Sequence, residues 1–409
     1  MKKISLMLAV MSLLVMGCSS GSKEAQEKEG QKIEVQNDKS LKVGWKDVIP
    51  NIERDTELKV SMIDTADVTA YTTNIKQSLS SSTPPDLFTW WSGTQLKDLV
   101  DNDLLADVTD EWSQFVDLGI SDSLKDALTV DGKIYGAPLY VIYNGVIYNK
   151  NIFEELGLNE PETLEEFMEL CEVIKESGVT PIGIGSTWQS FVWPMALMGS
   201  LNPDLYDQWV SGEVSFNDPQ IKEIFYAWAE MIEKGYFSEQ QQDQGKDLGM
   251  KEVAMVYNAN NWTQGLEDDY DMEIGKDVDI FVLPGTTKED KRTIFYEIAP
   301  FLISKNGDKD KAVEVLKNYY SKENQEVYSK QTGASAITDI TVENKATDKM
   351  LSYANDEEQY GLKLRYYEYF TPEVVNLSID EYWRIASNPT KEQVDQSLET
   401  IQKLWEQSK

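Results

Sequence analysis

Residues Asp131–Leu158 read DGKIYGAPLYVIYNGVIYNKNIFEELGL. A turn at Asp131-Gly132-Lys133 opens the stretch, two β-rich pieces follow at Lys133–Pro138 and Tyr140–Tyr148, and a helix starts at Asn151. Gly136 and Pro138 interrupt the apolar run where one continuous strand would otherwise be expected, which predicts a bend or a change of sheet. The stretch reads as a crossover between two lobes.

The length and composition agree with two cores. A chain of 409 residues exceeds what one ordinary hydrophobic core serves, and 41% hydrophobic residues suffice for two. Eleven Trp and 20 Tyr supply amphipathic rings, which pack in cores and also line polar-ligand clefts. A formal charge of -33 disfavours nucleic acid, whose binding draws on clustered Lys and Arg. With no histidine there is no imidazole-activated nucleophile and no zinc site of the usual catalytic kind. A carboxylate-pair glycosidase stays open as an enzyme alternative, but among 71 Asp and Glu such a pair arises by chance.

At the N-terminus Lys2 and Lys3 precede an apolar run, Ile4–Met16, too short to span a bilayer, which takes about 20 residues, and shaped like a secretory signal. It runs into Leu14-Val15-Met16-Gly17-Cys18, which resembles a bacterial lipobox. That resemblance implies removal of residues 1–17 and lipidation of Cys18. The polar residues up to Gln31 read as a tether of roughly 20 Å rather than a fold.

From Ile33 strands and helices alternate. Ile33–Val35 and Leu58–Ile63 read as strands, and Tyr71, Ile75 and Leu79 share one helix face. Pro84-Pro85-Asp86 ends that helix and starts a strand, Leu87–Trp90, followed by Trp91 and Gly93. Strand, helix, strand predicts a parallel sheet, and ligands of such sheets lie beyond the strands' carboxyl ends, where Trp90, Trp91 and, after the earlier strand, Asp64 are placed. Thr163 and Glu166 form a capping box, and the helical stripe behind them makes Cys171 a core residue. Pro181–Ser186 is a strand leading to Trp188, and Trp193 precedes a helix and reads as core. A further helix lies between Asp218 and Gly235, and Tyr366, Tyr367, Tyr369 and Phe370 precede the closing helices Asp380–Ser387 and Lys391–Lys409.

Several of these runs, in order, resemble solute-binding proteins of carbohydrate ABC importers, the maltodextrin-binding type. DGK followed by a Gly-x-Pro turn, an aromatic strand, Tyr148-Asn149-Lys150 and Glu155-Leu156-Gly157 match the segment with which that family passes from its first lobe to its second. Pro85-Asp86 with the aromatics up to Gly93 matches a run that carries a sugar-contacting aromatic, and Trp188 matches an aromatic on a cleft loop. Ala254-Met255 through Asn260, Asn261 and Trp262 matches a strand, turn and tryptophan, although the turn is one residue longer than usual and lacks its glycine. Glu297 stands where the family often has small residues.

The resemblance implies an α/β two-lobe periplasmic-binding-protein fold, each lobe a mainly parallel sheet flanked by helices, with a three-segment hinge. Lobe 1 would comprise residues 32–135 and 286–335, and lobe 2 residues 136–285 and 336–409, with further crossings at Ile280–Gly285 and near Gly333. It also implies a receptor that takes a sugar between its lobes and delivers it to the transmembrane subunits of an ABC permease, lipid-anchored through Cys18 outside the cell membrane, monomeric, and without catalytic residue, metal or cofactor. Sugars need flat rings for their C–H faces and acceptors for their hydroxyls. The set expected to supply them is Asp64, Trp90, Trp91, Tyr143, Asn144, Trp188, Asn260, Trp262, Glu297 and Phe370, with Trp262 as the stacking platform. A non-sugar solute, such as a polyol phosphate or a peptide, is the alternative within the binding class.

Overall fold

The computed structural model describes residues 32–38, 44–65, 67–185, 187–240 and 243–408. The apolar leader, Cys18 and the tether lie outside them. The described strands are β1 (Lys32–Asn37), β2 (Lys59–Asp64), β3 (Leu87–Thr89), β4 (Thr129–Val130), β5 (Lys133–Ile134), β6 (Gly136–Asn149), β7 (Thr180–Ile184), β8 (Phe237–Gln240), β9 (Val253–Ala259), β10 (Val278–Phe281), β11 (Arg292–Ile303) and β12 (Tyr360–Leu364).

Apart from the short β4–β5 ladder, these strands form one ten-stranded sheet in the order β2-β1-β3-β11-β6-β9-β7-β8, with β10 on β6 and β12 on β11. The sheet is parallel at its flanks, among β2, β1 and β3 at one end and β9, β7 and β8 at the other. Its centre is antiparallel, because the two long strands β6 and β11 run in opposite directions between the flanks. The expected parallel lobes are therefore the flanks, and the connecting strands make the whole sheet mixed.

The decisive stretch is one strand of 14 residues rather than two pieces. Its first part, Gly136–Tyr143, pairs with β11, and from Asn144 onward it pairs with β9, so the change of lobe falls inside an unbroken strand. Pro138 faces Pro300, and the register slips between Ala299 and Pro300. Two residues lacking N–H groups face each other there, so the proline signal marks an irregular ladder and not a strand end. Gly145 is required by close approach: a Cβ there would lie 2.9 Å from both Ile280 Cγ1 and Phe281 O.

The second crossing is made by β11. The expected segment Ile280–Gly285 does not make it, since β10 still pairs with the second half of β6. A third crossing follows Gly333, where Val141 N–H donates to Ser335 O at 2.9 Å.

Tyr148-Asn149-Lys150 earns its spacing structurally. Asn149 caps the helix Lys150–Leu156 through Ile152 N and donates to Leu248 O at 2.9 Å. Tyr148 donates to Glu160 Oε1, Lys150 to Gly275 O, and Gly157 closes the helix at φ 67. Thr163 caps the helix Leu164–Glu176 as expected, but Glu166 answers on the amide of Glu162 instead of that of Thr163. The first closing helix begins at Pro372, eight residues before Asp380, because proline is tolerated in a first turn.

Among the described residues three apolar clusters fill the interior. The largest runs along the sheet from Ile33 and Val35 through Val141, Val256, Leu266 and Ile280, and so continues beneath both flanks. A second packs Phe167, Cys171, Trp193, Trp209, Tyr366 and Phe370 against the β7 to β9 end. A smaller third gathers Tyr71, Phe88 and Trp90.

Candidate ligand-binding cleft

A cavity of about 470 Å³ opens where the three clusters meet. Three of its walls are half-buried indoles: Trp91 leans on the smallest cluster, Trp188 on the second and Trp262 on the largest. Each of them packs against its core and also lines the cavity. Asn144, Asn258, Asn261, Glu297 and Arg365 add polar groups, with Phe191 and Tyr367 beside them.

Each indole has a local cause. Trp91 follows the end of β3, where Trp90 is the inward residue, only 1% exposed and donating its Nε1–H to Gln95 O. Gly93 at φ +66 then lets the chain press on the turn at Glu368, where a Cβ would come within 1.9 Å of Glu368 O. Trp188 sits in the 3-10 turn Thr187–Phe191. Trp262 is the first residue of the helix Trp262–Tyr270, not a loop residue; its altered turn, Asn260-Asn261, forms the junction of β9 with this helix.

Of the residues expected at the site, the structure brings Trp91, Asn144, Trp188, Trp262 and Glu297 to this cavity. The other five are elsewhere. Trp90, Tyr143 and Phe370 are packed in the three clusters. Asn260 is fully buried: its Oδ1 accepts from Tyr143 N at 2.7 Å, and its Nδ2 donates to Thr347 Oγ1 at 2.8 Å and to Gly333 O at 3.3 Å. It clasps the first crossing to the third. Asp64 is exposed at the end of an edge strand, where it accepts from Asn37 Nδ2.

Arg365 was not anticipated. It follows β12, whose parallel pairing with β11 and whose Arg365 N to Tyr296 O bond of 3.1 Å set it beside Glu297. Its Nη1 is 2.5 Å from Glu297 Oε2, and its Nε donates to both oxygens of Glu368 at 2.8 and 3.1 Å. One guanidinium thus lies between two carboxylates. Burial, and then the neighbouring Glu297 charge acting against Arg365, push the Glu368 carboxyl up to about 7. Of the aromatic cluster it is Tyr367 that reaches the cavity, under the Arg365 guanidinium at 5.2 Å, because a turn of three residues sends neighbouring side chains in three directions. Arg365 is one of four arginines and directly precedes that cluster, a signal present in the sequence.

A larger cavity of about 750 Å³ shares Trp262 but is otherwise lined from β8, residues 243–245, Gly185 and the helix after Trp262, all on one flank. The smaller one draws on both flanks and carries three indoles. A cleft between two α/β lobes, walled by aromatic rings and amides, defines a two-lobe binding protein.

The model of the bacterial extracellular solute-binding protein family matches residues 38–326, and the chain belongs to that family. It is accordingly an extracytoplasmic protein. It is 27% identical over 248 residues to a diacetylchitobiose binding protein, DasA, of Streptomyces coelicolor, covering 59% of this chain and 57% of that one. An uncharacterised ABC transporter extracellular-binding protein of Pyrococcus horikoshii is 33% identical over 171 residues, 39% of each chain. These matches span well under two thirds of the relatives' own lengths. Among solved structures, the solute receptor AcbH superposes with a TM-score of 0.77 at 20% identity, covering 91% of this chain and 97% of the other, and a chitin oligosaccharide binding protein with 0.75 at 18%, covering 92% and 98%. These two share the fold.

Proposed function

We propose that the protein is the substrate-binding component of an ABC importer, which captures a sugar or oligosaccharide between its lobes and delivers it to the permease. The observation that carries this reading is the convergence of Trp91, Trp188 and Trp262 on one cleft that also holds Asn144, Asn258 and Glu297. Indole faces match the C–H faces of a sugar ring, and amide and carboxylate oxygens match its hydroxyls. That the relative DasA is a diacetylchitobiose binding protein agrees with a saccharide. A polyol phosphate fits less well, because Glu297 and Glu368 already neutralise Arg365.

In this reading the expected lobe boundaries at 135/136 and 285/286 move into β6, between Tyr143 and Asn144, and into β11, the third stays near residues 333–335, and the monomer is held to the membrane by lipidated Cys18. Ligand touching both lobes favours the closed form by its greater affinity for it. No bond is broken. A thermal-shift screen against neutral di- and trisaccharides, with product analysis of the same mixtures, tests this: a saturable rise in Tm without turnover is expected. Turnover, or no shift with any saccharide, would overturn it. Cys18→Ser is expected to move the protein from the membrane to the soluble fraction, as read by fractionation of cells.

A further inference from the structure

The polar groups of the cleft are unequal. Asn144 donates to Phe295 O and Asn258 accepts from Ala259 N, so both are partly spent on the fold. Glu297 and Arg365 are spent on each other, yet each keeps one arm: Glu297 Oε1 and Arg365 Nη2 make no hydrogen bond to a described residue. Both side chains are 17% exposed, at the cavity wall. The guanidinium cannot swing away, being held at Nε by the buried Glu368 and seated over Tyr367.

A rigid charged acceptor therefore stands beside a rigid charged donor. A hydroxyl donates and accepts at once, whereas a carboxylate or phosphate of a ligand only accepts. Bonds to charged partners are the stronger ones. The local charge is one guanidinium against two carboxylates, so the pair has no net positive charge to offer an anion.

We infer that the Glu297–Arg365 pair selects the ligand class: a neutral glycan whose two neighbouring hydroxyls engage it together, one donating to Glu297 Oε1 and the other accepting from the Arg365 guanidinium. This rests on the saccharide reading above. A uronic acid in the same place brings its carboxylate against Glu297 and is rejected. The aromatic walls hold ring faces and tolerate many sugars; the ion pair discriminates between them.

The test takes the full mature chain and the tightest-binding neutral saccharide of the panel. Its monodeoxy derivatives and its uronic acid counterpart are measured by titration calorimetry with wild type, Glu297→Gln and Arg365→Lys. Glu297→Gln and Arg365→Lys should each lower affinity for the neutral saccharide at least tenfold. One deoxy derivative should show a similar loss with wild type and no further loss with Glu297→Gln. The uronic acid should bind wild type at least tenfold more weakly than its neutral parent, and Glu297→Gln should narrow that gap. Should Arg365→Lys fail to fold, the deoxy and uronic acid measurements on wild type and the isosteric Glu297→Gln decide alone. Unchanged affinity in Glu297→Gln, or equal binding of the uronic acid, overturns the inference and leaves the saccharide reading standing. A wild type that binds no saccharide of the panel overturns both.

Discussion

Trp262 and Asn260 are two residues apart and do opposite work. Trp262 begins a helix, rests on the largest core and also lines the cleft. Trp262→Ala should weaken saccharide binding by about 1–3 kcal/mol with little change in Tm, the scale of a lost stacking contact at a hot spot. Titration calorimetry beside a melting curve separates the two quantities. Asn260 has no exposure and bonds Tyr143 N, Thr347 Oγ1 and Gly333 O. Removing its amide takes the acceptor from the buried Tyr143 N–H, while Gly333 O keeps the Thr347 hydroxyl at 2.6 Å. Asn260→Ala should therefore cost about 1–3 kcal/mol of stability by urea unfolding, a loss of the kind that follows an orphaned buried group. In the sequence the two sit in one polar-aromatic turn, and nothing in residue type separates the ligand-facing side chain from the structural one. Chain direction after β9 does that.

The 3-10 turn Tyr366–Glu368 concentrates the chemistry of its region. Glu368 faces Arg365 and, beyond it, Glu297, while Lys97, Asp126 and Asp131 share the cavity on its other side. Its folded-state pKa of about 7 lies above its ordinary 4.5, so the native protein binds a proton there that the unfolded chain has released. The stability this contributes is complete below about 4.5 and is lost as pH rises through 7. Between about pH 5 and 8 the wild type should lose, relative to Glu368→Gln, on the order of 2 kcal/mol, as read from urea midpoints at each pH. Equal pH profiles for the two proteins would show that Glu368 does not titrate there.

At this scale the sequence was informative about existence and less so about ends. The alternation of apolar residues placed β2, β3 and the helices at 164–176 and 219–233 within a few residues. It split β6 in two, because Gly136 and Pro138 look like breakers when only the strand itself is read. Pro300 on the facing strand absorbs the irregularity, and that partner is 162 positions away.

For the whole molecule, the crossings by β6, β11 and the chain after Gly333 tie the flanks together, and the cleft lies beside them. A ligand that touches both lobes should shift the population toward the closed form. Small-angle scattering should show a smaller radius of gyration on saturation with a panel saccharide, and Trp262→Ala should need more of that saccharide for the same change. A radius indifferent to saturating saccharide would exclude closure as the readout.

From its sequence alone this chain discloses two α/β units, a crossover at Asp131–Leu158 and an aromatic, histidine-free character suited to binding, because these depend on local period, turn residues and composition. Tertiary structure alone decided which aromatic of each pair faces the cleft, that Asn260 is a clasp, and that Arg365 meets Glu297 from 68 positions away. Those outcomes depend on which strands become neighbours and on the direction in which each core claims a ring. Both are properties of contacts distant along the chain, and residue spacing does not encode them.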